Sequence, residues 1–211
     1  MALGIKNKKF QMDQKGKFLL FDFAEFASWL DDLEVNRTIR LIQNHHTWQP
    51  DYAAFQKLPD HFHWMESMEN FQIQNGFAEI AQQLTTFPDG KITVGRSFDT
   101  IPAGIKGANQ YGVCIEHLGN FDAGADAMTP AQIDVIVMLN AALCRKFSLE
   151  IDTNGIVYHH WWDLVTGQRT NGSGTVKSCP GTNFFGGNSP QACESNFIPL
   201  IKSAMLTYTT I

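Results

Sequence analysis

The chain has little of what several large classes of protein require. Its longest apolar runs, such as Ile133 to Leu139, are broken by a charge, here Asp134, and fall far short of the roughly 20 residues needed to cross a bilayer. Cysteine is scarce: Cys114, Cys144, Cys179 and Cys193 are too few for a disulfide scaffold. Sixteen Lys and Arg stand against 21 Asp and Glu, with no basic stripe, and the net charge of -5 argues against nucleic acid as a partner. A Walker loop and a G-x-S-x-G elbow are both missing, so nucleotide hydrolysis and covalent serine catalysis lack support. The N-terminus MALGIKNKKF has no apolar core of about 7–15 residues before a small-residue cleavage site, and so does not read as a secretory signal. Such a chain is expected to be made in the cytoplasm, with its thiols reduced.

What is present is an ordinary globular composition, 44% hydrophobic and 18% charged over 211 residues, which suits one hydrophobic core. A single domain over residues 1–211 is expected, without repeats or low-complexity linkers, and as a monomer. Phe23 to Leu30 predicts a short helix. Ile39 to Asn44 reads as a buried strand ending at His45-His46, and Tyr111 to Leu118 as a third core strand. Between them, Ile80 to Phe87, the turn Pro88-Asp89-Gly90 and Lys91 to Val94 carry a hairpin signal. The strongest helix signal runs from Pro130 to about Phe147. Thr129 suits its N-cap, Pro130 its first position, and Gln132 would complete a capping box. Ile133, Ile136, Val137, Ala141, Cys144 and Phe147 form its predicted buried stripe. A strand at Gly155 to His159, a Gly/Asn/Ser-rich loop at Gly167 to Asn188 and a helix from Pro190 to Met205 follow. This order of strands and helices points to an α/β layered domain.

Seven histidines scattered over 211 positions would give only about 0.2 adjacent pairs by chance. There are two, His45-His46 and His159-His160, and each follows an apolar strand-like run. Two strand ends can bring one imidazole each to a shared point. Taken singly, a histidine reads as a satisfied core or surface residue. Lys177-Ser178-Cys179-Pro180-Gly181 adds a thiol after the second pair. Two imidazoles and a thiolate make a sound zinc set with a fourth position left for water. The spacing alone matches no zinc-finger pattern, and a lone loop cysteine is commonly just a small buried hydrophobe.

Ile42-Gln43-Asn44-His45-His46-Thr47, Gly76-Phe77-Ala78-Glu79-Ile80, Pro88-Asp89-Gly90 with Gly95-Arg96, and Tyr158-His159-His160 before Lys177-Ser178-Cys179-Pro180-Gly181 occur in a fixed order. In that order they resemble the type 2 N-acetylmuramoyl-L-alanine amidases, a family that includes phage lysozyme-amidases and the peptidoglycan recognition proteins. The resemblance covers roughly residues 38–200 and leaves 1–37 as an N-terminal extension. It implies a central mixed β-sheet flanked by helices, with a zinc cleft on one face. It also implies that His45, His159 and Cys179 hold Zn2+ and that Lys177 stabilises an oxyanion, where a solvated loop lysine is the plainer alternative. His46 and His160 would point away from the metal, because successive strand side chains alternate between faces. His117, His61 and His63 read as surface or local hydrogen-bonding residues.

Phage-type relatives carry a Tyr-His pair where this chain has Gln82 and Gln83, and glutamine exchanges no proton near neutrality. The segment Val113 to Gly119 resembles the I-E-H-V-G strand of other branches, which implies Glu116 as the general base. A charge on a central strand is costly unless paired or functional, and a salt bridge to Arg96 or Lys106 is the alternative. The activity implied is hydrolysis of the amide between N-acetylmuramic acid and L-alanine in bacterial peptidoglycan. A non-catalytic peptidoglycan-binding module and a peptidoglycan endopeptidase are the competing readings. Trp48, Trp161, Trp162, Asn109 and Thr182 are candidate contacts to glycan or stem peptide. The setting expected is a cell-wall lysin, either a phage endolysin released through a holin or an autolysin.

Overall fold

Residues 12–208 are described by a computed structural model. The N-terminal ten residues used above to judge export, and the last residues of the tail, lie outside that range. The first strands, β1 (Asp13–Lys15) and β2 (Phe18–Phe21), form a hairpin whose two-residue turn places Gly16 at φ +58°, a left-handed value that glycine adopts without cost. Helix α1 (Phe23–Asp32) follows. The Asp22 backbone N–H donates to the Glu25 carboxylate 3.1 Å away at its start, and Phe26 and Leu30 are buried along it.

Strand β3 (Leu41–His46) lies near the other edge of the sheet, and two helices follow it: α2 (Tyr52–Lys57) and α3 (His61–Gln74). Asp51 caps α2 by accepting from the Ala54 N–H, and Asp60 caps α3 by accepting from that of His63. The hairpin β4 (Leu84–Thr86) and β5 (Ile92–Val94) pairs in the register Thr86 to Ile92, as its turn residues predict. Strand β6 (Gly112–His117), helix α4 (Pro130–Phe147), strand β7 (Ile156–Tyr158) and the closing helices α5 (Pro190–Ala192) and α6 (Ile198–Tyr208), joined by a π turn at Cys193–Phe197, complete the chain.

The seven strands make one mixed sheet in the order β1-β2-β5-β4-β6-β3-β7. The β1 to β4 half is antiparallel, and β4, β6, β3 and β7 run parallel. Buried parallel strands usually read as continuous apolar runs. β3 departs from this rule: Gln43, Asn44, His45 and His46 are all buried.

Helix α4 covers one face of the sheet. Thr129 caps it by accepting from the Gln132 N–H, 3.1 Å away. The reciprocal half of the expected capping box does not form. Gln132 is fully buried, donates to the Leu118 and Thr86 carbonyls and accepts from the Tyr52 hydroxyl, while the Thr129 N–H donates to Tyr52 instead. The predicted stripe also shifts. Val135, Ile136, Leu139 and Ala141 to Cys144 are buried, because α4 packs on the sheet and against α1 and α6, whereas Ile133, Val137 and Phe147 are only half-buried. Under α4 lies a closed polar network. His117 meets Thr86 Oγ1 at 2.8 Å and Asn44 Oδ1 at 3.0 Å, and the side-chain amides of Asn44 and Asn140 exchange a pair of hydrogen bonds. His117 is therefore a wholly buried hydrogen-bonding residue and not a surface one.

Candidate metal and catalytic centre

The opposite face of the sheet carries the candidate centre. Strand alternation sends Gln43 and His45 of β3, and Cys114 and Glu116 of β6, to this side, and the register pairs Gln43 with Cys114 and His45 with Glu116. His159 begins a 3-10 turn just past the C-terminal end of β7, beside β3. The three strand ends that bear the candidate residues thus lie at the carboxyl edge of the parallel half, the usual place for a site in such sheets.

The structure brings His45, His159 and Cys179 together. His45 Nδ1 lies 3.2 Å from His159 Nδ1 and 3.5 Å from Cys179 Sγ, and all three residues are buried. Donors held at about 2.0–2.1 Å (N) and 2.3 Å (S) around a tetrahedral ion are about 3.3–3.6 Å apart. The trio therefore has both the chemistry and the spacing to hold a metal ion. Burial and the Lys177 charge keep the imidazoles unprotonated: His159 is lowered to about 4, and His45 is well below its ordinary value, with His159 as a further cause. Burial pushes the Cys179 thiol well above its usual range and Glu116 adds to this, while the His46 backbone N–H and Lys177 act the other way. A bound divalent cation inverts such local logic and favours the thiolate.

Glu116 Oε1 stands 3.9 Å from His45 Nδ1, and its Oε2 is buried without a hydrogen-bond partner among the described residues. Burial raises its carboxyl to about 8, against the opposing pull of Lys177. Neither cation considered as a partner is committed to it. Arg96 bonds the Ile80 and Ile101 carbonyls and pairs with Glu79, and Lys106 donates to the Val165 carbonyl. Gln82 and Gln83 are both buried in structural bonds. Gln82 reaches Thr85 Oγ1, and Gln83 donates to the Thr100 carbonyl and accepts from the Cys114 N–H.

The second histidine of each doublet braces a loop beside the site, the one after β6 for His46 and the one that carries the thiol for His160. His46 Nδ1 accepts from the Phe121 N–H at 3.1 Å. His160 touches Lys177 and Cys179: its ring Nδ1 lies 2.6 Å from the Lys177 carbonyl and its N–H donates to the Cys179 carbonyl at 2.7 Å. Asp122, which carries no motif that would have revealed it, holds the same loop by accepting from Ser178 Oγ and the Thr182 N–H.

These groups open into a cleft of about 680 Å³. Lys177 is exposed on its lining, as is Trp48, while α3 contributes Met68, Phe71 and Gln72, and Asn75 follows at its C-cap. Of the other candidate contacts, Trp161 and Trp162 are buried core residues under Arg169. Asn109 instead braces the backbone at Gly104 and Ile105, and Thr182 accepts from the Ala123 N–H.

Residues 35–182 match the N-acetylmuramoyl-L-alanine amidase family. Among solved structures, the chain is similar to the N-acetylmuramoyl-L-alanine amidase LysC from Clostridium intestinale (TM-score 0.52, 22% identity, over 72% of this chain and 83% of that one). It is also similar to Drosophila PGRP-LB (TM-score 0.54, 21% identity, over 71% and 78%). At these identities the two structures speak for the fold alone. The comparison with curated proteins finds no match. With the family match spanning most of its length, the chain belongs to the N-acetylmuramoyl-L-alanine amidases, hydrolases of peptidoglycan.

Proposed function

We propose that this chain is a zinc-dependent cell-wall lysin that cuts the amide between N-acetylmuramic acid and L-alanine. His45, His159 and Cys179 would hold the metal, Glu116 would act as general base and acid, and Lys177 would stabilise developing negative charge. The observation that carries this reading is the approach of His159 Nδ1 and Cys179 Sγ to 3.2 and 3.5 Å from His45 Nδ1, with an unpartnered carboxylate oxygen beside them. Zinc supplies Lewis acidity at such a site. Glu116, an unpartnered carboxyl that burial raises to about 8 and that a bound cation would lower, is suited to take the proton of the attacking water and return it to the departing alanine nitrogen. Lys177, on the cleft lining, places a cation where the carbonyl oxygen gains charge. The buried imidazoles stay unprotonated, which leaves each ring a nitrogen lone pair to offer a metal.

Mass spectrometry of digested peptidoglycan tests the activity. Released stem peptides beginning with L-alanine are expected. Cut cross-bridges would indicate an endopeptidase, and no products a binding module. Added from outside, the protein is expected to clear wall suspensions; failure to do so with rapid cleavage of soluble anhydro-muropeptides would replace the lysin reading with recycling.

A further inference from the structure

Four aromatic side chains are exposed among the described residues, and three of them, Trp48 (58%), Phe71 (67%) and Phe77 (38%), line the metal cleft. Trp48 comes from the β3–α2 loop, three positions beyond His45. Phe71 lies on α3, and Phe77 just beyond its C-terminal end. Trp48 also stands at φ +58°, a left-handed backbone that bulky L-residues rarely adopt. The fold imposes this conformation. The Trp48 N–H donates to the Gly119 carbonyl at 3.1 Å, and Thr47 Oγ1 accepts from the Gly119 N–H at 2.9 Å and donates to the Pro50 carbonyl at 2.6 Å. A strained, solvent-facing tryptophan contributes nothing to the core, and strain retained at a cleft points to function.

The remaining lining says what such rings would meet. Apart from the histidines, Lys177 and Glu116 are its only ionisable groups besides the Cys179 thiol, and beyond them it offers aromatic rings, Met68 and the amides of Gln49, Gln72 and Asn75. Ring faces and neutral amides suit the C–H faces, hydroxyls and N-acetyl groups of an aminosugar. Free carboxylates and amines of a stem peptide would find few countercharges here. We propose, resting on the amidase reading above, that Trp48 with Phe71 and Phe77 forms an aromatic platform for β-1,4-linked N-acetylhexosamine units on the acyl side of the scissile amide, so that the enzyme selects substrates that carry the glycan.

The test uses the full chain and two readouts. In the first, N-acetylglucosamine tetrasaccharide is titrated into the parent protein and into Trp48→Gly, Phe71→Ala and Trp48→Tyr, with binding followed by calorimetry. Affinity is expected to fall roughly tenfold or more in the first two and to be largely kept in Trp48→Tyr. In the second, kcat/KM is compared for a disaccharide-bearing muramoyl tripeptide and a sugar-free lactoyl tripeptide. The preference for the sugar-bearing substrate is expected to shrink roughly tenfold in Trp48→Gly, mainly through KM. Glycine accepts the left-handed backbone, so the melting temperature should be at or above that of the parent, which separates binding from stability. No tetrasaccharide binding by the parent, or equal binding by Trp48→Gly, overturns the platform. If the parent cleaves neither substrate, the amidase reading fails and the titration still decides whether sugar binds.

Discussion

His45 and Glu116 are register partners on neighbouring parallel strands, with Nδ1 of one 3.9 Å from Oε1 of the other. The pairing fixes the carboxylate beside the proposed metal donors by backbone hydrogen bonding, without a loop to adjust it. Glu116→Gln preserves shape but cannot accept a proton. It is expected to keep its full metal content while kcat drops about 10²–10⁴-fold. Metal analysis beside steady-state kinetics measures both, and near-parental kcat would remove Glu116 from the mechanism.

Cys179→Ser should lose the metal and the activity together, since a hydroxyl is a far poorer zinc ligand than a thiolate. His160→Ala, which removes the ring at 2.6 Å from the Lys177 carbonyl, should weaken metal affinity about 10–100-fold without abolishing it. Full zinc occupancy in Cys179→Ser would show that the ligand set is wrong.

Gly104 lies against the floor of the cleft, where a Cβ would collide with Gln43 Oε1 and come within 2.8 Å of Cys114 Sγ and 2.9 Å of His45 Nε2. Gln43 is itself held by the Ile105 N–H and cannot retreat freely. Gly104→Ala is therefore expected to displace His45 and weaken metal binding at least tenfold, by the same sensitivity to ligand orientation. Unchanged affinity in a metal titration would mean that the floor yields.

Stability should depend on His117. Burial, with a smaller contribution from His46, lowers its pKa to about 3, so between there and the unfolded value near 6.5 the unfolded chain binds the extra proton. Its contribution is fully present above pH 6.5 and is lost as the pH falls toward 3, at up to about 1.4 kcal/mol per unit. Urea midpoints recorded from pH 7 to 4 should fall more steeply for the parent than for His117→Gln. Parallel slopes would assign the acid sensitivity to other groups.

A chain beginning at residue 35 would keep the whole family match yet lose β1, β2 and α1. Phe18, Phe21, Phe26 and Leu30 leave the core with them, and β5 becomes an open edge. At about 2–5 kcal/mol for each large side chain, the loss is comparable to the 5–15 kcal/mol of a typical domain. Residues 35–211 expressed alone should be insoluble or unfolded by circular dichroism; a cooperative melt at the parental temperature would make the hairpin and α1 dispensable.

Local signals in the sequence served well where local physics decides. Thr129-Pro130 marks the start of α4, Pro88-Asp89-Gly90 marks the hairpin, and the His doublets mark two strand ends. Packing between distant segments was not legible. The amide of Gln132 abandons its capping box because Tyr52 and Leu118 lie within reach, and His117 becomes a core residue because Asn44 and Thr86 meet it from neighbouring strands. Helices α2 and α3 carry good caps in Asp51 and Asp60 but little periodic signal, since α3 buries only Met65 and Met68 and so has no continuous apolar stripe. Trp161 and Trp162, candidates for substrate contact, turned inward beneath Arg169, an arrangement made by a loop return and invisible in the local sequence.

The donors of the centre are far apart along the chain, 114 positions from His45 to His159 and 134 from His45 to Cys179. An ion held by them would act as a staple between segments that meet only after β3, β7 and the loop beyond have assembled. The unfolded chain offers no such site, so ligation and folding would be thermodynamically linked. Each tenfold rise in free metal above its dissociation constant would add about 1.4 kcal/mol to the folded state. Chelation would then cost the enzyme its shape as well as its chemistry, and its lifetime among proteases would follow the zinc supply around it.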